Sequence, residues 1–152
     1  MSIIYNESSK TFYLNGKDCS YVFYINSVGY PTHLHFGAPV PCENMLFSQS
    51  FGSRSQIATP AGIDNPALSY NNTLPEICFY GTSDYREPTF LVQNPLGHRL
   101  CDLEYTGHYI VEQKPAICGM PSLDGGETLI LHLKDKFGDL LVDLYYTVYD
   151  DV

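Results

Sequence analysis

A chain of 152 residues is enough for one domain, which at this size buries about 68–70% of its unfolded surface and needs no disulfide or metal staple. Its formal net charge of −9, with no basic stripe, argues against nucleic acid and anionic membrane as partners. With 13 Tyr, 8 Phe, no Trp and only 16% charged residues, much of the surface has to be built from Tyr, Ser, Thr and Asn.

The dominant period along the chain is two, the signature of strands with one buried face. SIIYN, TFYLN and SYVFYIN come first, separated by NESSK and GKDCS, and read as a meander of short antiparallel strands; HLHF follows. From Gly37 to about Pro75 the alternation stops. This stretch is rich in Pro, Ser, Asn and Gly, and irregular segments of that length inside a compact domain are usually functional or disordered. EICFY and TFLVQ then read as strands on either side of GTSDYREP. NPLG is the turn into RLCDLEYTGHYIVEQ. Last, ETLILHLK and DLLVDLYYTVYDDV alternate cleanly around the turn KDKFGD and read as a hairpin. No window carries a helical stripe. The expected fold is all-β: a single antiparallel two-sheet sandwich over residues 1–152 with one long irregular loop at about 37–75. The final strand runs to Val152 without a cap or polar tail, so the polypeptide is expected to continue.

Five cysteines, odd in number and without a C-x-x-C, suit free thiols in a reducing cytoplasm, and MSIIYNESSK lacks the basic start and apolar run of a signal peptide. His33 and His35 are expected on one side of a strand, but His98, His108 and His132 sit in other segments and no third ligand joins them, so no metal site is expected. Cys78 and Cys101 lie in apolar runs and read as small buried hydrophobes. GTSDY and LDGGE read as hairpin turns, neither opening a helix that could hold a phosphate, so no nucleotide cofactor is indicated. Glycoside hydrolysis needs two carboxyl groups about 5–9.5 Å apart; Asp135 with Asp139 are expected in a solvated turn and Asp150 with Asp151 at the chain end, which leaves Asp84 and Glu87 as the grouping of interest. Arg86 between them favours an ion pair that holds a corner. Gly81, Asp84, Arg86, Glu87 and Pro88 are therefore read as a structural motif: Gly81 permits a tight turn, Arg86 ties down neighbouring acids or carbonyls, and Pro88 restricts the chain entering the next strand.

The run TLPEICFYGTSDYREPTFLVQN resembles the "TLPQEYPxYGxxDFREP" run of bacterial α-galactosidases of glycoside hydrolase family 36. RLCDLEYTGHYIVEQKPAICGMPS is similar to that family's "DLRYxxHxIxxGKPxLxGLPA", and IIYNESSKTFYLNGKDCSYVFYINSVGYPTHLHFG to the strands leading to its "LxHLYxG" segment. The resemblance implies a β-supersandwich that precedes a catalytic (β/α)8 barrel lying beyond residue 152. Both catalytic aspartates of the retaining mechanism would belong to that barrel, so none is assigned in this chain.

It further implies a parent enzyme that removes terminal α-galactosyl residues of the melibiose or raffinose type and forms a homo-oligomer. The long loop would lend residues to an active-site rim. Asp64 falls where the family's loop carries an acid, Asn65 stands where it carries an arginine, and Arg54 is the loop's arginine; Arg54 and Asp64 are the candidate rim residues. The rival reading is a free-standing galactoside-binding sandwich whose tyrosines stack on the sugar.

Overall fold

The computed structural model describes residues 2–43, 68–70, 73–82, 84–121 and 123–149. Their seven strands are β1 (Ser2–Asn6), β2 (Thr11–Asn15), β3 (Ser20–Ile25), β4 (Pro31–Gly37), β5 (Leu103–Val111), β6 (Glu127–Asp135) and β7 (Leu141–Val148). They form two antiparallel sheets, ordered β1-β2-β3-β4 and β5-β6-β7. The all-β sandwich and the opening meander are thus as the alternation predicts, and KDKFGD closes the β6–β7 hairpin through the Asp135 N–H on the Leu140 carbonyl at 2.9 Å. No helix among the described residues is long and apolar enough to cross a membrane.

Alternation determines which residues fill the space between the sheets. Ile3, Phe12, Leu14, Phe23 and Ile25 of the first sheet pack with Leu103, Leu129, Leu131 and Leu133 of the second. Removing each such side chain from water contributes about 1.5–3 kcal/mol. Aromatic rings run through this layer in sequence: Tyr5 on Phe12 at 4.6 Å, Phe12 on Phe23 at 4.9 Å, and Phe23 on Tyr146 at 5.1 Å between centroids. The series crosses from β1 to β7 and so joins both sheets.

The outer faces differ. Behind the first sheet Tyr13 and Val22 are fully buried, packed with Leu34, Val40 and Cys42. The chain after β4 returns over this face, where the Tyr13 hydroxyl donates to the Glu43 carbonyl and the Val40 N–H to Ser20 Oγ. On the second sheet's outer face Tyr109, Leu141 and Tyr145 are exposed.

Three expectations need correction. EICFY and TFLVQ are not strands: their backbones make single contacts, Glu76 N–H to Pro31 O, Thr89 N–H to Cys78 O and Cys101 N–H to Tyr80 O. Pro75 and Pro88 cannot donate, and Gly81 at φ +90° turns the chain, so no ladder propagates although Ile77 and Phe79 are buried. GTSDY and LDGGE are consequently not hairpin turns. GTSDY follows a non-strand, and LDGGE belongs to the long connection between β5 and β6. His33 and His35 lie on opposite faces, because a bulge pairs His33 with Phe23 and His35 with Val22, neighbours that point to opposite sides of β3.

Candidate functional site: a braced corner and two buried acids

The described residues between 68 and 102 carry three acids whose side chains are almost fully buried, Glu76, Asp84 and Asp102. At the corner the Arg86 guanidinium grips the Asp84 carboxylate from two nitrogens, Nε to Oδ1 at 2.8 Å and Nη2 to Oδ2 at 2.9 Å; the Arg86 N–H also donates to Oδ1 at 3.1 Å. Arg86 Nη1 reaches the Thr73 carbonyl at 3.3 Å. The Asp84 side chain is only 4% exposed. Burial by itself would raise its pKa, but the Arg86 hydrogen bonds and charge outweigh burial and hold it below the usual carboxylate range. An acid kept ionised in this way cannot donate a proton near neutrality. Glu87 points to the exposed side and Tyr85 is 90% exposed. Gly81 sits against Leu100, whose Cδ1 would lie 2.9 Å from an added Cβ.

A second acid is satisfied deeper in. Asp102 Oδ1 accepts the Tyr30 hydroxyl at 2.7 Å, and Lys136 Nζ lies 3.3 Å from the same oxygen and 4.5 Å over the Tyr30 ring. The Asp102 N–H donates to Asp135 Oδ1 at 2.9 Å and the Asp102 carbonyl accepts the Lys136 N–H at 2.9 Å, so the approach to β5 is fastened to the β6–β7 turn. Burial, then the hydrogen bond to Asp102, pushes the Tyr30 hydroxyl far above the ordinary tyrosine range.

Glu76 is the third acid, and the sequence patterns do not single it out. Its carboxylate is only 7% exposed and receives Tyr21 of β3 at 2.6 Å on one oxygen and Tyr146 of β7 at 2.9 Å on the other, with His33 Nδ1 3.9 Å away. One side chain thereby pins the two sheets together where they open beside β4. The available signal was an acid immediately before the apolar run ICFY, with no basic residue near it in sequence.

Arg54 and Asp64 lie outside the described residues. The described histidines, cysteines and acids form no group of three that could hold a metal ion. All five cysteines are free thiols; burial pushes Cys101 up to about 11 and also raises Cys78. A groove of about 710 Å3 lies between residues 92–100 and 135–140, and two hollows of about 420 Å3 open near Tyr146 and near Tyr30, none of the three lined by Asp84 or Glu87. Glycoside hydrolysis needs two acids facing one sugar-sized space. Asp135 and Asp139 both line the 710 Å3 groove, where Asp135 accepts the Asp102 N–H, whereas Glu76, Asp84 and Asp102 serve as ties within the domain.

Fold and site together define a two-sheet β-sandwich with a braced corner in which Asp84 is locked to Arg86. Residues 29–152 match the family described as "Glycosyl hydrolase family 36 N-terminal domain", and the chain belongs to that family. It is 31% identical to alpha-galactosidase AgaA of Geobacillus stearothermophilus, over 99% of this chain and 21% of the relative. It is 32% identical to probable alpha-galactosidase C of Aspergillus flavus, over 92% of this chain and 18% of the relative. The crystal structure of the family 36 alpha-galactosidase AgaB from Geobacillus stearothermophilus superposes with a TM-score of 0.86 at 30% identity, covering 99% of this chain and 21% of that one. The chain thus spans about a fifth of the length of these relatives.

Proposed function

We propose that this chain is the non-catalytic N-terminal domain of a cytoplasmic retaining α-galactosidase acting on terminal α-D-galactosyl residues of the melibiose or raffinose type. The parent polypeptide continues past residue 152 into a catalytic barrel that supplies the nucleophile and the acid/base. This domain packs on that barrel, assists the homo-oligomer, and lends the loop at about 37–75, with Arg54 and Asp64, to the rim of an active site. The observation that carries the reading is the family match combined with length: relatives named as α-galactosidases align along this chain but are about five times as long. The state of Asp84 supports it, because an ionised acid locked to Arg86 is unsuited to protonating a leaving group.

The test is to assay this chain and the parent polypeptide on an aryl α-galactoside. Turnover is expected from the parent and none from the 152-residue chain. Turnover by the short chain that disappears in Asp84→Asn would overturn the reading, and calorimetric binding of free galactose to the short chain would favour a sugar-binding module.

A further inference from the structure

Tyr85 is 90% exposed, yet the residues on both sides of it are immobilised. Asp84 is buried, and Arg86 closes back on it through three donors while its fourth holds the Thr73 carbonyl. Joining residues 84 and 86 in this way makes residue 85 the apex of the turn, with its ring outward. The preceding segment is fixed as well, by Gly81 against Leu100 and by the Cys101 N–H on the Tyr80 carbonyl. Leu74, next to the carbonyl that Arg86 holds, is 60% exposed, and Tyr80 is 50% exposed.

We infer that Tyr85 is a docking anchor that inserts into an apolar cleft on the polypeptide following this domain in the parent enzyme, with Leu74 and Tyr80 at its margin. The inference rests on the functional reading above. Tyrosine is well suited to anchoring, with a large rigid ring, two side-chain torsions to order and a hydroxyl at the tip for one hydrogen bond. The Asp84–Arg86 clamp orders the turn before contact is made, which removes part of the entropic cost of docking. A covalently joined neighbour is the partner this anchor fits. Separate chains need about 1,200–2,000 Å2 of buried surface for stable association, of which one tyrosine supplies about 150–250 Å2. A tethered partner is present at an effective concentration on the order of millimolar, and a match spanning 21% of AgaA leaves about four-fifths of that relative to supply one.

Hydroxyl-radical footprinting of the parent polypeptide and of the 152-residue chain tests the proposal. Tyr85 is expected to be oxidised several-fold more slowly in the parent than in the short chain. Tyr85→Ser in the parent is expected to speed amide exchange across the contact about tenfold, the size of effect that truncating a buried aromatic anchor produces. Equal oxidation of Tyr85 in both proteins overturns the inference. So does protection already present in the short chain that grows with its concentration, since that assigns the anchor to a second copy. A parent that protects Tyr85 but turns over no α-galactoside supports the docking and removes the functional reading; a parent that turns over substrate with Tyr85 fully reactive does the reverse.

Discussion

Replacing Glu76 with leucine keeps the volume of the side chain but removes the acceptor shared by Tyr21 and Tyr146. Hydrogen bonds to a charged group contribute about 1.5–3 kcal/mol each, and a buried donor left unmatched costs about 1–3 kcal/mol. Tyr21 is only half-buried, so water replaces part of its loss, whereas Tyr146 is packed against Phe23 and Tyr21 and has less access to solvent. Leucine also relieves the desolvation of a carboxylate, which offsets part of the penalty. The expected net loss is about 2–4 kcal/mol, which at a urea slope of about 1–3 kcal/mol/M moves the unfolding midpoint down by about 1–2 M. Tyr146→Phe keeps the ring and removes only the donor. The double variant should therefore lose less than the sum of the two singles, by about 1–2 kcal/mol. A midpoint shift below about 0.3 M for Glu76→Leu, or strict additivity in the cycle, would refute the idea that this carboxylate pins the sheets.

Lys136→Met leaves the buried Asp102 with Tyr30 but without its cation. Because Lys136 is partly exposed, a loss of about 1–3 kcal/mol in urea unfolding is expected instead of the full cost of breaking a buried pair, and Asp102→Asn in the same chain should recover much of it. Gly81→Ala forces a side chain onto φ +90° and should cost about 1–2 kcal/mol, most of it backbone strain because Leu100 can swing aside; an unchanged urea midpoint would contradict this. His108 is held below the ordinary histidine pKa, first by burial and then by the charge of His132, so the unfolded chain binds the proton more readily. Its stabilising contribution is therefore complete above about pH 6.5 and is lost as pH falls through the lower folded value. Urea midpoints measured between about pH 7.5 and 5 should decline, and the slope should flatten in His108→Gln.

Strands were legible wherever a single side faced the core. Leu129, Leu131 and Leu133 alternate with Thr128, Ile130 and His132 and are buried as that period requires. ICFY deceived the same reasoning, because Ile77 and Phe79 have the right spacing and are buried, yet Pro75, Gly81 and Pro88 prevent the backbone from continuing a ladder. Spacing reports burial; it does not report hydrogen bonding. The bulge in β4 that separates His33 from His35 has no sequence mark, since Leu34 looks like any other strand residue. Asp84 and Arg86 stood out because they are opposite charges two residues apart in a weakly charged chain. Glu76, Asp102 and Lys136 find their partners across long stretches of sequence, Glu76 mainly among tyrosine hydroxyls, and no local pattern reveals such pairings. The candidate rim residues Arg54 and Asp64 fall outside the described residues.

The Ile3 N–H donates to the Glu127 carboxylate at 2.6 Å, fastening the first strand to the sixth. On a ribosome these two residues emerge far apart in time. The strands of the β1–β4 meander form ladders only with one another and can assemble early, but Phe12 and Phe23 then wait for Leu129, Leu131 and Leu133 to be translated before their layer closes. Contacts of such wide sequence separation fold slowly and leave apolar strands uncovered in the meantime. The nascent first sheet is therefore the point at which synthesis of this protein depends most on chaperone cover or slow translation.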